Sequence, residues 1–219
     1  MSFVIKICGV TTPADAEAVA AAGADAVGLN FWPGSRRFVG PDANRERVVA
    51  AIPPGVLKFG VFVNASVSEV LAQARRWGLD RIQLHGDEEP RDFAAVPARQ
   101  LVRAVRVRDA SALADVHAWS ADTFLLDAFV DGYGGGGEVA PWAAIADFLA
   151  TQPTRAPRFL LAGGLHPGNV AAAIAATRPA GVDVASGVET APGRKDPELV
   201  ARFIAAARAA AARIIPSES

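Results

Sequence analysis

The chain contains a single cysteine, Cys8, so no intrachain disulfide can form. A lone thiol is compatible with a reducing cytoplasm, where we expect the protein to be located. An excess of charge of either sign is also missing, because the formal net charge is -1 and no basic tract or basic amphipathic helix stands out. This balance argues against nucleic acid or an anionic membrane surface as a partner.

Long apolar runs are absent as well. No run approaches the ~20 residues that span a bilayer, and the apolar stretch near the amino terminus is too short, and too soon followed by a helix start, for a signal peptide. The three histidines are scattered singly and far from the cysteine, without the spacing of metal ligands. We therefore expect neither a membrane segment nor a metal site.

What the chain does contain is a regular alternation of short apolar runs with alanine-rich helical stretches. Its 219 residues, 51% of them hydrophobic, suit one domain, residues 1–219, with a large core. The apolar runs predict strands at Val4–Ile7, Ala26–Leu29, Leu57–Val63, Arg81–Leu84, Leu101–Val105, Thr123–Leu126, Phe159–Leu161 and Val182–Val184. The predicted helices lie at about 13–22, 42–51, 66–77, 89–96, 109–117, 139–150, 167–177 and 196–212.

Eight strand–helix pairs in roughly 200 to 250 residues predict an α/β protein with a closed (β/α)8 or TIM barrel. An open doubly wound sheet is the alternative, but it usually has fewer strands and a glycine fingerprint after the first strand, and no G-x-G-x-x-G follows here. Connections at the amino-terminal ends of the strands, such as 22–24 and 77–79, are short and plain. The segments after the strands instead carry polar, reactive or glycine residues: Cys8, Gly9, 30–37, Asn64, His85, Gly86, Asp127, Gly163, Gly164, Ser186 and Gly187. The carboxyl-terminal mouth of the barrel is therefore the predicted functional face.

Cys8 ends the first strand and is a candidate proton acceptor or nucleophile. A thiol beside a cation can reach the thiolate form near neutral pH and then remove a proton. Lys6 is such a cation, and strand alternation puts it on the same side as Cys8 if the strand stays regular. The alternative is a small buried hydrophobic residue, since free cysteine is among the most buried residue types.

Asp127 closes the apolar run 124–127, where partial burial would favour its protonated form and allow it to act as a general acid. The alternative is a carboxylate that caps a helix or orders a loop. The glycine-rich segment Gly132–Gly137 follows it, and this segment fits a lid hinge, a close approach to ligand or simple loop filler.

Two glycine features near the carboxyl terminus predict a phosphate site. Gly163-Gly164 follows the seventh strand and Ser186-Gly187 follows the eighth, where a short extra helix would direct free backbone N–H groups at an anion. Tight turns are the alternative explanation of these glycines.

The long loop after the second strand supplies candidate ligands for a carboxylate. The guanidinium of Arg36 or Arg37 can hold a carboxylate bidentately, and Trp32 and Phe38 can shelter an aromatic ring. Ordinary surface arginines are the alternative, and the same two readings apply to His85.

These motifs, taken in order, resemble one family, phosphoribosylanthranilate isomerase of tryptophan biosynthesis. The resemblance covers nearly the whole chain and rests on Lys6-Ile7-Cys8-Gly9, Gly23–Gly28, Ser35-Arg36-Arg37, Gly60–Asn64, Gln83-Leu84-His85-Gly86, Leu125-Leu126-Asp127, Leu161–Leu165 and Val182–Glu189. It implies a (β/α)8 aldose–ketose isomerase that converts N-(5-phosphoribosyl)anthranilate to 1-(2-carboxyphenylamino)-1-deoxyribulose 5-phosphate by an Amadori rearrangement. No metal or organic cofactor is implied.

The resemblance also implies roles for single residues. Cys8 corresponds to the general base, Asp127 to the general acid, and Arg37 to the residue that binds the anthranilate carboxylate. The remaining implied substrate-binding residues are His85, Gly163, Gly164, Asp183, Ser186 and Gly187, with the glycine loops holding the phosphate. A small phosphosugar is thus the expected partner, and we expect a monomer rather than a dimer.

Two departures from the family pattern and two alternatives accompany this interpretation. Residues 138–142 read Glu-Val-Ala-Pro-Trp where the family more often has Phe-Asp-Trp, and Ala185 stands where serine is common. A related histidine-pathway isomerase is one alternative, but that family has an aspartate where this chain has Cys8. A non-catalytic phosphosugar-binding barrel is the other, and it predicts that the protein's role survives loss of Cys8 and Asp127.

Overall fold

Eight parallel strands close into a barrel in sequence order in the computed structural model, which describes residues 3–128, 140–153 and 157–214. The strands are β1 (Val4–Cys8), β2 (Ala26–Asn30), β3 (Leu57–Phe62), β4 (Arg81–Leu84), β5 (Leu101–Val107), β6 (Thr123–Ala128), β7 (Arg158–Leu161) and β8 (Gly181–Val184). Pairing of β8 with β1 completes the cylinder. The predicted (β/α)8 barrel is therefore confirmed, and each predicted strand agrees with an observed one to within about two residues.

Six α-helices cover the outside of the barrel among the described residues. They are α1 (Pro13–Ala21), α2 (Asp42–Ala50), α3 (Val67–Trp77), α4 (Trp142–Ala150), α5 (Val170–Thr177) and α6 (Pro197–Ile214). Local signals explain their ends: Ser66 and Glu69 form a reciprocal capping box at the start of α3, and Gly78 ends that helix with a φ of 57°. In the part of the chain described, no helix is long and apolar enough to cross a membrane.

The helices predicted at 89–96 and 109–117 take the tighter 3₁₀ form instead of an α-helix. The first is reduced to Pro90–Phe93, and another short 3₁₀ helix, Ala98–Gln100, lies beyond the predicted range and begins directly after Pro97. The second is a 3₁₀ helix over Ala110–Ala118, which Asp109 opens by accepting from the N–H and the hydroxyl of Ser111. Such local side-chain bonds compete with α-helical hydrogen bonding.

A β-hairpin that the sequence analysis did not predict follows β8. It consists of β9 (Glu189–Ala191) and β10 (Arg194–Lys195), and Gly193 turns the chain between them with a φ of 80°. Glycine suits that turn because it has no Cβ to clash in the left-handed region. The hairpin lies at the mouth of the barrel, where it brings Glu189 beside the loop after β2.

Apolar side chains pack on both faces of the barrel strands. A large cluster fills the space between the barrel and its helices, and a smaller one fills the barrel interior with Ala26, Phe59, Val102, Ala104, Leu125, Leu160 and Ala162. Because successive strand residues point to opposite faces, the inward position of Leu125 makes Asp127 point inward as well. On β1 the outward residues Ile5 and Ile7 join the large cluster, which turns Lys6 and Cys8 inward. Period-two alternation thus delivers the reactive side chains to the inside of the mouth.

Candidate active site

Lys6 is a fully buried cation beneath Cys8. Its side chain has no exposed surface, and Nζ donates to Oδ1 of Asp183 at 2.9 Å, close to the Cys8 side chain. β1 is a regular strand, so Lys6 and Cys8 lie on the same face of it. A Cβ built on Gly28 of the neighbouring strand would lie 2.6 Å from Cys8 Sγ and 3.1 Å from Lys6 Nζ, so only glycine leaves room for the pair.

The electrostatics of this group favour a neutral thiol beside an ammonium in the free protein. Burial raises the pKa of Cys8; the positive charge of Lys6 opposes the rise, the carboxylate of Asp183 adds to it, and the pKa ends above its ordinary value. Burial by itself would lower the pKa of Lys6, but Asp183 and Cys8 hold that pKa above its ordinary value. Cys8 keeps part of its surface exposed to the mouth, where a substrate can reach it.

Asp127 lies opposite a histidine. Its Oδ2 is 3.2 Å from Nε2 of His85, and its Oδ1 accepts 2.9 Å from the backbone N–H of Ala128. The Nε2–H direction is not aligned with Oδ2, so the contact is a close pair and not a linear hydrogen bond. Nδ1 of His85 lies 3.1 Å from Nε2 of Gln83, whose side chain is buried two residues earlier on the same face of β4.

A buried carboxylate fixes the loop that carries His85. Glu88 accepts from the N–H of Asn64 at 2.9 Å, from the N–H of Gly86 at 2.9 Å and from Nη1 of Arg103 at 2.7 Å. These bonds join the segments that follow β3 and β4 to each other and to β5. Gly86 has no space for a side chain, since a Cβ there would lie 2.3 Å from Oδ1 of Asn64. The loop that carries His85 is therefore tied to its neighbours on both sides.

Arg37 lies across the first loop and is 8% exposed. Its Nε lies 2.9 and 3.1 Å from the two carboxylate oxygens of Glu189, and Nη2 lies 2.8 Å from Oε2. The stem crosses Gly9, whose Cβ would be 2.5 Å from Arg37 Cδ and whose φ is 77°. Burial would lower the pKa of Arg37, but Glu189 raises it above its ordinary value, so the guanidinium is charged.

Lys195 links Glu189 to the first strand. Its Nζ donates to Oε1 of Glu189 at 2.7 Å, to the carbonyl of Cys8 at 2.6 Å and to the carbonyl of Ala185 at 3.2 Å. Burial would raise the pKa of Glu189, yet Arg37 and Lys195 together hold it below its ordinary value. Burial lowers the pKa of Lys195, and Glu189 counters this only in part.

The glycine loops after β7 and β8 lie against each other. Gly163 and Gly164 both have positive φ, of 83° and 62°, and a Cβ on Gly187 would lie 1.9 Å from the carbonyl oxygen of Leu165. Asn169 ties this side of the mouth by donating to the carbonyl of Gly164 at 2.9 Å. The extra helix predicted at Ser186 is a three-residue 3₁₀ turn, 186–188.

Several expectations have a different or an open outcome. Trp32 and Phe38, the residues expected to shelter an aromatic ring, each contact a residue of the protein itself. The ring centre of Phe38 lies 5.3 Å from Cζ of Arg45 on α2. Trp32 lies over Gly34, where a Cβ would be 2.5 Å from the indole. Gly132–Gly137 and Glu138 lie outside the described residues. Within the described ranges, no group of three or more His, Cys, Asp or Glu side chains is arranged to hold a metal ion.

Four residues of the mouth were missed as functional candidates: Gln83, Glu88, Glu189 and Lys195. Gln83 and Glu189 stand inside quoted motifs, but nothing in the sequence says which distant side chain each one contacts. A usable signal was the pair of charges at 189 and 195 around Pro192-Gly193, a pattern typical of a tight hairpin.

Fold and site together define a (β/α)8 enzyme with a thiol and a carboxyl group on inward positions at one rim, an arrangement for acid–base chemistry on a small substrate. The profile of the N-(5'phosphoribosyl)anthranilate (PRA) isomerase family matches residues 5–206. The chain therefore belongs to the phosphoribosylanthranilate isomerase family.

Individual relatives agree with this assignment. The N-(5'-phosphoribosyl)anthranilate isomerase of Magnetococcus marinus is 45% identical over 96% of this chain and 97% of its own. The crystal structure of phosphoribosyl anthranilate isomerase from Thermotoga maritima matches with a TM-score of 0.85 and 35% identity, over 94% of this chain and 99% of that one. A phosphoribosyl anthranilate isomerase in complex with reduced 1-(o-carboxyphenylamino)-1-deoxyribulose 5-phosphate matches with a TM-score of 0.82 and 34% identity, over 94% of this chain and 99% of the other.

Proposed function

We propose that the chain catalyses the phosphoribosylanthranilate isomerase reaction of tryptophan biosynthesis. In this proposal Asp127 is the general acid and Cys8 is the general base. The reaction converts N-(5-phosphoribosyl)anthranilate to 1-(2-carboxyphenylamino)-1-deoxyribulose 5-phosphate. The main support for this reaction is that the chain matches the family along nearly its whole length. The positions of Cys8 and Asp127 at the carboxyl ends of β1 and β6 support the two roles.

The first step opens the sugar ring. Asp127 gives its proton to the furanose oxygen as the bond between that oxygen and C1 breaks, and the nitrogen lone pair forms a Schiff base with C1. Asp127 must carry a proton at this point. Nε2 of His85, 3.2 Å from Oδ2, is the adjacent group that can share or return that proton. Catalytic contacts that are long in a free enzyme often tighten when substrate binds.

The second step moves a proton from carbon to sulfur. The Cys8 thiolate takes the proton from C2, the C–H electron pair becomes the C1–C2 double bond, and the C1–N double bond returns its electrons to nitrogen. The resulting enolamine tautomerises to the ketose. The Lys6 ammonium favours the thiolate that this step needs, and the Asp183 carboxylate keeps Lys6 charged in a buried position.

Two anchoring groups complete the proposal. Arg37 binds the anthranilate carboxylate, and the backbone of Gly163, Gly164, Ser186 and Gly187 receives the phosphate. The close approach of the two glycine loops supports the phosphate assignment, because positive φ and absent side chains leave backbone N–H groups accessible.

Turnover of phosphoribosylanthranilate, followed by its change in fluorescence, tests the proposal. Wild type should be active, while Cys8→Ser and Asp127→Asn should each lose about 10²-fold or more with the fold unchanged. A wild-type protein without turnover would overturn the function, and full activity of either variant would remove that residue from the mechanism. A cytoplasmic location and a monomeric state stay predictions; sedimentation of the purified protein tests the second.

A further inference from the structure

We infer that Glu189 is a positioning residue that aims one edge of Arg37 at the substrate carboxylate. The inference rests on the proposed function, in which Arg37 binds that carboxylate. It adds a specificity element outside the acid–base pair, carried by the hairpin β9–β10.

The hydrogen-bonding pattern of Arg37 leaves one edge for the substrate. A guanidinium is planar and offers a side edge, formed by Nε and Nη2, and an end edge, formed by Nη1 and Nη2. Glu189 occupies the side edge with three contacts of 2.8 to 3.1 Å. Nη1 has no hydrogen-bond partner among the described residues. A carboxylate from the mouth must therefore bind end-on.

Glu189 is itself held in place. Its side chain is 4% exposed, and its Oε1 also accepts from Nζ of Lys195 at 2.7 Å and from the N–H of Gly193 at 3.3 Å. Lys195 in turn donates to the carbonyl of Cys8 at 2.6 Å. The arginine that binds the carboxylate is thus connected, through two buried side chains, to the strand that carries the base.

The charge of this group points to an anionic ligand. Two cations, Arg37 and Lys195, share the single carboxylate of Glu189, which leaves one positive charge in excess at a largely buried place. Buried charges are stable only when they are paired and hydrogen-bonded. A substrate carboxylate on the end edge of Arg37 would supply the missing negative charge at a fixed distance from Cys8.

Two substrates distinguish positioning from a merely structural role: phosphoribosylanthranilate, and phosphoribosylaniline, which lacks the carboxylate. In Glu189→Gln, an amide N–H₂ replaces one acceptor of the guanidinium. We expect kcat/KM for the carboxylated substrate to fall about 10- to 100-fold, chiefly through KM, because displacement of an anchoring group by about 1 Å costs up to 10²-fold. The value for the aniline substrate should change less than about threefold, within the scatter of non-coupled sites.

Further variants complete the cycle. Arg37→Ala should show the same selective loss, and adding Glu189→Gln to it should cause no further loss. Glu189→Asp, which keeps the charge on a shorter stem, should fall between wild type and Glu189→Gln. Glu17→Gln, an exposed glutamate of α1, is the matched control and should behave as wild type with both substrates.

The possible results test the positioning role of Glu189 and the proposed function separately. Equal losses of Glu189→Gln with both substrates, or losses that add to those of Arg37→Ala, would overturn the positioning role and leave the proposed function intact. A wild-type protein inactive on the carboxylated substrate would overturn both. If Glu189→Gln fails to fold by circular dichroism, Glu189→Asp carries the test: selective loss with the carboxylated substrate supports the inference, and equal loss with both refutes it.

Discussion

Lys6 and Asp183 stand side by side across the seam between β1 and β8 that closes the barrel, with Nζ 2.9 Å from Oδ1. The pair is buried, and Cys8 lies above it on the same face of β1. The last strand pairing of the barrel therefore also completes the charge environment of the proposed base.

Removal of Lys6 should reduce the reactivity of Cys8. In Lys6→Met the cation is lost, so the pKa of Cys8 rises further and the thiolate fraction at neutral pH falls about 10-fold or more. Because Cys8 is the only cysteine, the rate of alkylation by iodoacetamide measures this thiol alone. The same rate in Lys6→Met and wild type would show that Lys6 does not stabilise the thiolate.

The stability of the same variant provides a second test. Lys6→Met leaves Asp183 buried without its partner, which should cost about 3–5 kcal/mol in the free energy of unfolding. The double variant Lys6→Met/Asp183→Asn removes both charges and should regain part of that stability without regaining turnover. Urea unfolding and the fluorescence assay measure the two effects separately.

The reactivity of the Cys8 thiol should rise with pH above neutrality. Burial places the pKa of Cys8 above its ordinary value of about 8.5, so the thiolate fraction still increases as the pH climbs past that value. We expect the rate of alkylation of Cys8 to increase about tenfold per pH unit below its pKa, because that rate follows the thiolate alone. The contribution of Cys8 to the free energy of unfolding should change in the opposite direction. It is present below the ordinary pKa of the thiol and is lost as the pH rises through the raised pKa of the folded state. An alkylation rate that stays constant between pH 7 and 9 would contradict a raised pKa of Cys8.

Loss of the acid should leave the thiol unaffected. Asp127→Asn keeps the shape of the side chain but cannot supply the proton for ring opening, so kcat should fall about 10²- to 10⁴-fold. The alkylation rate of Cys8 should stay within about twofold of wild type, because no described contact joins the two side chains. A parallel drop in alkylation would instead indicate a disturbed mouth.

Gly28 should be essential for packing of the thiol. In Gly28→Ala the new methyl group would lie 2.6 Å from Cys8 Sγ, so strand or thiol must shift, and overpacking of this kind costs about 1–3 kcal/mol. Turnover should fall at least about tenfold, as expected for a misplaced reacting group. Gly55→Ala is the control: its φ of 94° makes it strained, but its surroundings are open and it lies far from the mouth, before β3. It should lose stability and keep its activity.

The (β/α)8 architecture was predictable because it depends on local signals. Apolar runs mark the strands, and period-two alternation places Lys6 and Cys8 on one face of β1. The two segments between β4 and β6 were the exception, since both take the 3₁₀ form, the second where the Asp109–Ser111 pair competes with α-helical hydrogen bonds.

The sequence by itself determined the strand order, the rim that carries the reactive groups, and the candidate pair Cys8 and Asp127. Only the tertiary structure decided their partners. Arg37 meets Glu189 across 152 residues, and Lys195 reaches the carbonyl of Cys8 across 187. Such contacts are set by the register in which the barrel closes and by the hairpin that follows β8. Neither is encoded in the spacing of neighbouring residues, because side chains that are distant in sequence meet only after every strand between them is paired.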